Sequence, residues 1–189
     1  MNKRIALLVS SVFEPMIISY GIAVLGGIHA GLIGASWNTY IWSITLIMGI
    51  VFGARLYFKR KDKTNWDISD RKKRIVPMAI LLVCVGVIYA VLKSVAEPSV
   101  ASLFGIFFLW VIGFFILTLK IKASGHVGIL TWFTCQLVFW FGPSMIPTVV
   151  FIPILAWSRL VLKRHTMIEV IVGFVYSVLM FFVSARIIG

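Results

Sequence analysis

Apolar runs of about twenty residues recur along this whole 189-residue chain, and nothing else in it restricts the fold as much. Inside a bilayer every backbone N–H and C=O must find a partner within the protein, which leaves only α-helices and closed barrels. A barrel shows short segments of alternating polarity, whereas the runs here are continuously apolar, as at 100–119. With 61% hydrophobic and only 13% charged residues, the chain lacks the polar surface of a soluble domain. The expectation is an all-α, polytopic transmembrane helical bundle of six to seven spans, forming one domain over residues 1–189.

Seven spans can be counted, at about 5–30, 38–58, 77–95, 100–119, from 126 to 140, 147–162 and 166–187. The first contains Glu14-Pro15. Three polar stretches interrupt the series: a hydrophilic loop at 59–74, the island Lys122-Ala-Ser-Gly-His126, and a longer island at 158–169. Two spans separate each from the next, and an even number of crossings returns the chain to the same face. All three therefore meet on one side of the membrane. Ionisable groups at bilayer depth cost about 2.5–3.5 kcal/mol each on insertion scales, so such islands mark function.

The net charge of +12 raises the question of nucleic acid, but the cations sit in short loops between apolar runs. That distribution fits membrane topology and phosphate binding, with no nucleic-acid partner. Cys84 and Cys135 stand alone inside apolar runs, which is neither a disulfide framework nor a zinc spacing. Met-Asn-Lys-Arg leads into a long apolar run without a convincing cleavage site, and reads as the start of a mature first span.

Within the 158–169 island, His165 and Glu169 are four residues apart and share a helix face. The carboxylate can then fix the imidazole tautomer and leave the other ring nitrogen as nucleophile or base. The same pair also reads as a helix-end histidine with an incidental acid neighbour. Arg159 adds a planar fork suited to phosphate. The 122–126 island adds the Ser124 hydroxyl, the Gly125 backbone N–H and the His126 imidazole, at a helix start whose dipole favours an anion. Ser124 reads equally as a simple helix cap.

Ser124-Gly125-His126, followed by Ser158-Arg159, five residues, His165, three residues and Glu169, resembles two signatures of the type 2 phosphatidic acid phosphatase (PAP2) superfamily. Those signatures read Pro-Ser-Gly-His and Ser-Arg-x5-His-x3-Asp. The resemblance implies a PAP2-like membrane fold with its motif-bearing core at about 71–187. It also implies a lipid phosphate substrate, hydrolysed without metal or cofactor. In that scheme His165 is the nucleophile that forms a phosphohistidine, Glu169 orients it, and His126 is the acid on the leaving oxygen. Arg159, Ser124, Gly125 and Lys122 hold the phosphate. This sequence departs from the pattern at Ala123, where proline is usual, and at Glu169, where aspartate is usual. The superfamily's Lys-x6-Arg-Pro signature is missing. Arg71 and Arg74, on one face if their segment is helical, stand as its substitutes.

Two other classes compete. Asp67-x2-Asp70-Arg71 superficially matches the aspartate motifs of magnesium-dependent intramembrane transferases, but six acids in the whole chain supply no second cluster for the metal. A transporter or inactive relative draws on Glu14, since a buried acid can serve a cation path; Pro15 beside it also reads as a plain kink. Orientation sets charge against family habit. With seven spans the motif face carries 16 of the 18 Lys and Arg, leaving Lys93 and Arg186 opposite. The positive-inside rule puts that face in the cytoplasm, the cell membrane being the host in a prokaryote, whereas the resemblance implies the outer face.

Overall fold

The computed structural model describes residues 2–62 and 71–188. Among them are eight α-helices and one 3-10 helix, with no strand. The helices are α1 (Asn2–Val12), α2 (Pro15–His29), α3 (Gly34–Asp62), α4 (Arg71–Val95), α5 (Pro98–Lys120), α6 (Gly125–Phe141), α7 (Phe151–Val161) and α8 (Met167–Ile188), with the 3-10 helix at Pro143–Val150 ahead of α7. Among the described residues six stretches are long and apolar enough to cross a membrane, α1 and α2 counting together. The protein is an all-α, multi-pass membrane protein. The fifth expected span, α6, has 17 residues. At about 1.5 Å per residue it sits at the short end of what a bilayer requires.

Two expected spans have a different internal form. The first breaks at Phe13-Glu14, because Pro15 has no N–H to give and disfavours helical geometry at the residue before it. Phe13 N–H closes α1 on the Val9 carbonyl, and Ile18 N–H opens α2 on the Glu14 carbonyl. The sixth begins at Pro143 in 3-10 turns and becomes α-helical only at Phe151. Pro147, lying inside those turns, cannot donate to an α-type ladder.

The residues gather in two compact units, 1–22 with 122–189, and 23–121. In the second unit α4 packs on α5 through two reciprocal small-against-large contacts. Gly86 faces the Phe108 ring and Gly105 faces Tyr89, each so closely that a Cβ on the glycine would lie about 3 Å from the ring. Such close approach is the main source of helix association in lipid, where burial of apolar surface gives no net drive. Ile47, Val85, Val100 and Phe104 complete that core.

In the first unit α6 and α8 run parallel. Ser124, at the start of α6, bonds to Glu169 near the start of α8, and Phe139 and Phe181 meet farther along with ring centroids 5.9 Å apart. The chain returns between them through α7. On α1, Ser10 contacts Arg159 and Phe13 contacts Phe151, so the partner position on α7 retreats as α1 advances, the order of an antiparallel pair. The starts of α6 and α8 and the end of α7 therefore lie at one end of the unit, which brings the 122–126 and 158–169 islands together.

Candidate functional site

The turn from α7 to α8 sets the geometry. Arg164 N–H bonds to the Arg159 carbonyl at 3.0 Å and Lys163 N–H to the Leu160 carbonyl at 2.9 Å, with Lys163 in the left-handed region at φ 54°. This is a Schellman closure made with lysine where glycine is the easier residue. It reverses the chain within five residues. Arg159 and His165 are thereby fixed on either side of one tight turn.

At the start of α8, Thr166 and Glu169 form a reciprocal capping box. Thr166 N–H donates to Glu169 Oε2 at 3.1 Å, and Glu169 N–H donates to Thr166 Oγ1 at 3.3 Å. The same Oε2 lies 2.9 Å from His165 Nδ1 and 3.5 Å from Lys122 Nζ. Against an accepting carboxylate oxygen the ring donates from Nδ1, the tautomer that leaves the lone pair on Nε2 when the ring is neutral. The glutamate arm reaches the ring at ordinary hydrogen-bond length. The His165 side chain is wholly out of solvent.

The 122–126 island is tied to this corner from both ends. Lys122 Nζ donates to the Arg164 carbonyl at 2.9 Å, and Ser124 N–H donates to the Glu169 carbonyl at 2.9 Å. Ser124 is buried and caps α6, its Oγ accepting from Val127 N–H at 3.5 Å. Gly125 is the first residue of that helix, and His126 is buried one position on. All of this depends on Gly173 in α8. A Cβ there would sit 2.6 Å from the Ser124 carbonyl oxygen and 3.3 Å from its nitrogen.

Arg159 is almost completely buried, and its Nη1 donates to Ser10 Oγ at 2.6 Å. Arg164 and Glu14 are among the charged groups around it. Glu14 Oε2 also lies 3.4 Å from His126 Nε2. Ser10 and Glu14, which no motif marks, thus stand among the motif residues. Glu14-Pro15 was the available signal, as a membrane-depth acid beside a helix breaker. Thr166-x-x-Glu169 was a second, for the cap.

The first unit therefore brings together Lys122, Ser124, Gly125, His126, Arg159, His165 and Glu169 and adds Ser10 and Glu14. Arg71 and Arg74 belong to the second unit, where α4 begins at Arg71. Asp67 and Asp70, on which the transferase alternative relies, lie outside the described residues. Among the described residues no group of three His, Cys, Asp or Glu is placed to hold a metal ion. Compared with models of protein families, with characterised proteins and with solved structures, the chain matches none.

The arrangement sets one imidazole against the Glu169 carboxylate and a second beside the Glu14 carboxylate, with the Arg159 and Lys122 cations in the same unit. Burial strengthens each of these electrostatic interactions relative to water.

Proposed function

We propose that this protein is a membrane lipid phosphatase of the PAP2 type, hydrolysing the phosphate monoester or diphosphate of a phosphatidate-like or polyprenyl lipid through a phosphohistidine. The observation that carries the reading is the His165–Glu169 pair at 2.9 Å, with the 122–126 island bonded to the backbone of the same glutamate. Two sequence-distant motifs are useful for phosphoryl transfer only if they share one corner. His165 Nε2 attacks phosphorus, and Arg159, Lys122 and the Gly125 N–H stabilise the charge that develops on the phosphoryl oxygens. Arg71 and Arg74 remain part of this proposal as further phosphate ligands.

Purified protein, incubated with a panel of phosphatidate, lysophosphatidate, farnesyl diphosphate and undecaprenyl diphosphate in excess chelator, is expected to release inorganic phosphate from at least one. Folded protein that releases none would overturn the reading.

The charge bias favours a site on the cytoplasmic face, and it persists at 12 against 2 after Arg71, Arg74, Lys122 and Arg159 are set aside as substrate ligands. Lys163 is exposed on the turn beside the site and reports that face directly. With Cys84 and Cys135 replaced by serine, Lys163→Cys in intact cells is expected to resist a membrane-impermeant maleimide until lysis. Labelling before lysis would put the site outside.

A further inference from the structure

We propose that Glu14 is a positioning residue of this site, holding His126 through Nε2 as Glu169 holds His165 through Nδ1. The inference rests on the phosphatase reading. The first unit contains only two acidic residues, Glu14 and Glu169, and only two histidines, His126 and His165. Each acid stands against one histidine, at 3.4 Å for Glu14 Oε2 to His126 Nε2 and 2.9 Å for Glu169 Oε2 to His165 Nδ1. Both Glu14 and His126 are largely withdrawn from solvent, with side chains 16% and 9% exposed. A carboxylate at that depth is costly unless it is paired, and the break before Pro15 is what turns it toward α6.

The two pairs are complementary in which nitrogen they leave for chemistry. His165 is held by Nδ1 and reacts by Nε2; His126 is held by Nε2 and reacts by Nδ1. In the first step the His165 lone pair forms the nitrogen–phosphorus bond while the phosphorus–oxygen bond to the lipid breaks, and the leaving oxygen takes the Nδ1 proton of His126. In the second step water attacks phosphorus and gives its proton to His126 Nδ1. The nitrogen–phosphorus bond breaks, and its electron pair returns to His165. Throughout, the Nε2 hydrogen stays against Glu14, so the ring keeps its orientation between the two proton transfers. The other charged groups gathered here are Arg159 and Arg164 from α7 and its turn, and Lys122 and Glu169 from the 122–126 island and α8. A role for Glu14 as counter-ion of Arg159 alone is the competing account.

Leaving-group dependence separates the two. An alkoxide needs the proton and a nitrophenolate does not, so a residue that acts through His126 matters for the first and little for the second. Rates of the full chain in detergent are measured on phosphatidate or lysophosphatidate, whichever the wild type hydrolyses faster, and on 4-nitrophenyl phosphate. Glu14→Gln is expected to lose about 10²-fold on the lipid, the lower end of general acid–base contributions, with a much smaller loss on the aryl ester. Glu14→Asp should recover part of the lipid rate. In a His126→Ala background, Glu14→Gln should change the lipid rate by less than about twofold, because coupled residues are not additive. Equal losses on both substrates, or full additivity with His126→Ala, would overturn the inference and leave the phosphatase reading standing. A wild type that hydrolyses only the diphosphates would overturn the inference alone, since no leaving alkoxide then calls on His126, and one that hydrolyses no lipid of the panel would overturn both.

Discussion

His165→Ala is expected to lower kcat for lipid phosphate hydrolysis by about 10⁴-fold or more, the scale seen when a covalent nucleophile is removed. It should also abolish any acid-labile phosphoprotein. The structure makes this substitution unusually clean. Glu169 loses one partner but keeps Thr166 N–H at 3.1 Å and Lys122 Nζ at 3.5 Å, so the start of α8 stays capped and the 122–126 island stays tied. Melting in detergent should therefore shift little, and the loss should lie in chemistry. Glu169→Ala is a poorer probe. It removes the orienter of His165, one half of a capping box worth about 0.5–2 kcal/mol, and the partner of Lys122 in a single change. A His165→Ala protein with full turnover would remove the phosphohistidine from the account.

Gly173→Ala is expected to damage both stability and turnover, although residue 173 touches no substrate. The added Cβ would meet the Ser124 carbonyl oxygen at 2.6 Å. What it meets is backbone, with no flexible side-chain end to swing away, so α8 or the 122–126 island must move. Overpacking of this kind costs about 1–3 kcal/mol. The displacement falls on the segment whose N–H bonds to Glu169, and so shifts His126 relative to His165. Misplacement near 1 Å costs about 10²-fold in rate. Thermal melting and kcat measured together check this. Gly49→Ala is the control, since a Cβ at 49 has nothing within 4 Å and alanine is the better helix former. Parallel behaviour of the two variants would show that the close approach at 173 does not matter.

How much of this could be read beforehand depends on whether a feature is local. The helical class and the return of the 122–126 and 158–169 islands to one end of the first unit followed from apolar run lengths and crossing parity, both local to the chain, the 59–74 loop lying partly outside the described residues. So did the His165–Glu169 pair, because a spacing of four fixes a shared helix face. The cap was equally local in Thr166-x-x-Glu169, but the glutamate had already been given another part. Ser10 and Glu14 were not legible as site residues. The partners they reach are 149 residues away for Ser10 and Arg159 and 126 − 14 = 112 residues away for Glu14 and His126, and no spacing rule spans that. Gly173 was invisible for a related reason, since the need for glycine arises from the Ser124 backbone across the helix interface. Arg71 and Arg74 were read as substitutes for a missing signature, from their charge and their spacing of three, and they lie in the second unit. The break in the first span was foreshadowed by Pro15, but its consequence was not. A kink and a carboxylate aimed at an imidazole look the same in one dimension.

The central claim is that phosphorus passes through His165 on its way to water, and the stereochemistry at phosphorus tests it most directly. A lipid phosphate made chiral with oxygen isotopes and sulfur is hydrolysed in labelled water, and the configuration of the released thiophosphate is read by phosphorus NMR. Two in-line displacements, first by His165 Nε2 and then by water, predict net retention. Net inversion would mean that water attacks the lipid phosphate directly, and would contradict the account.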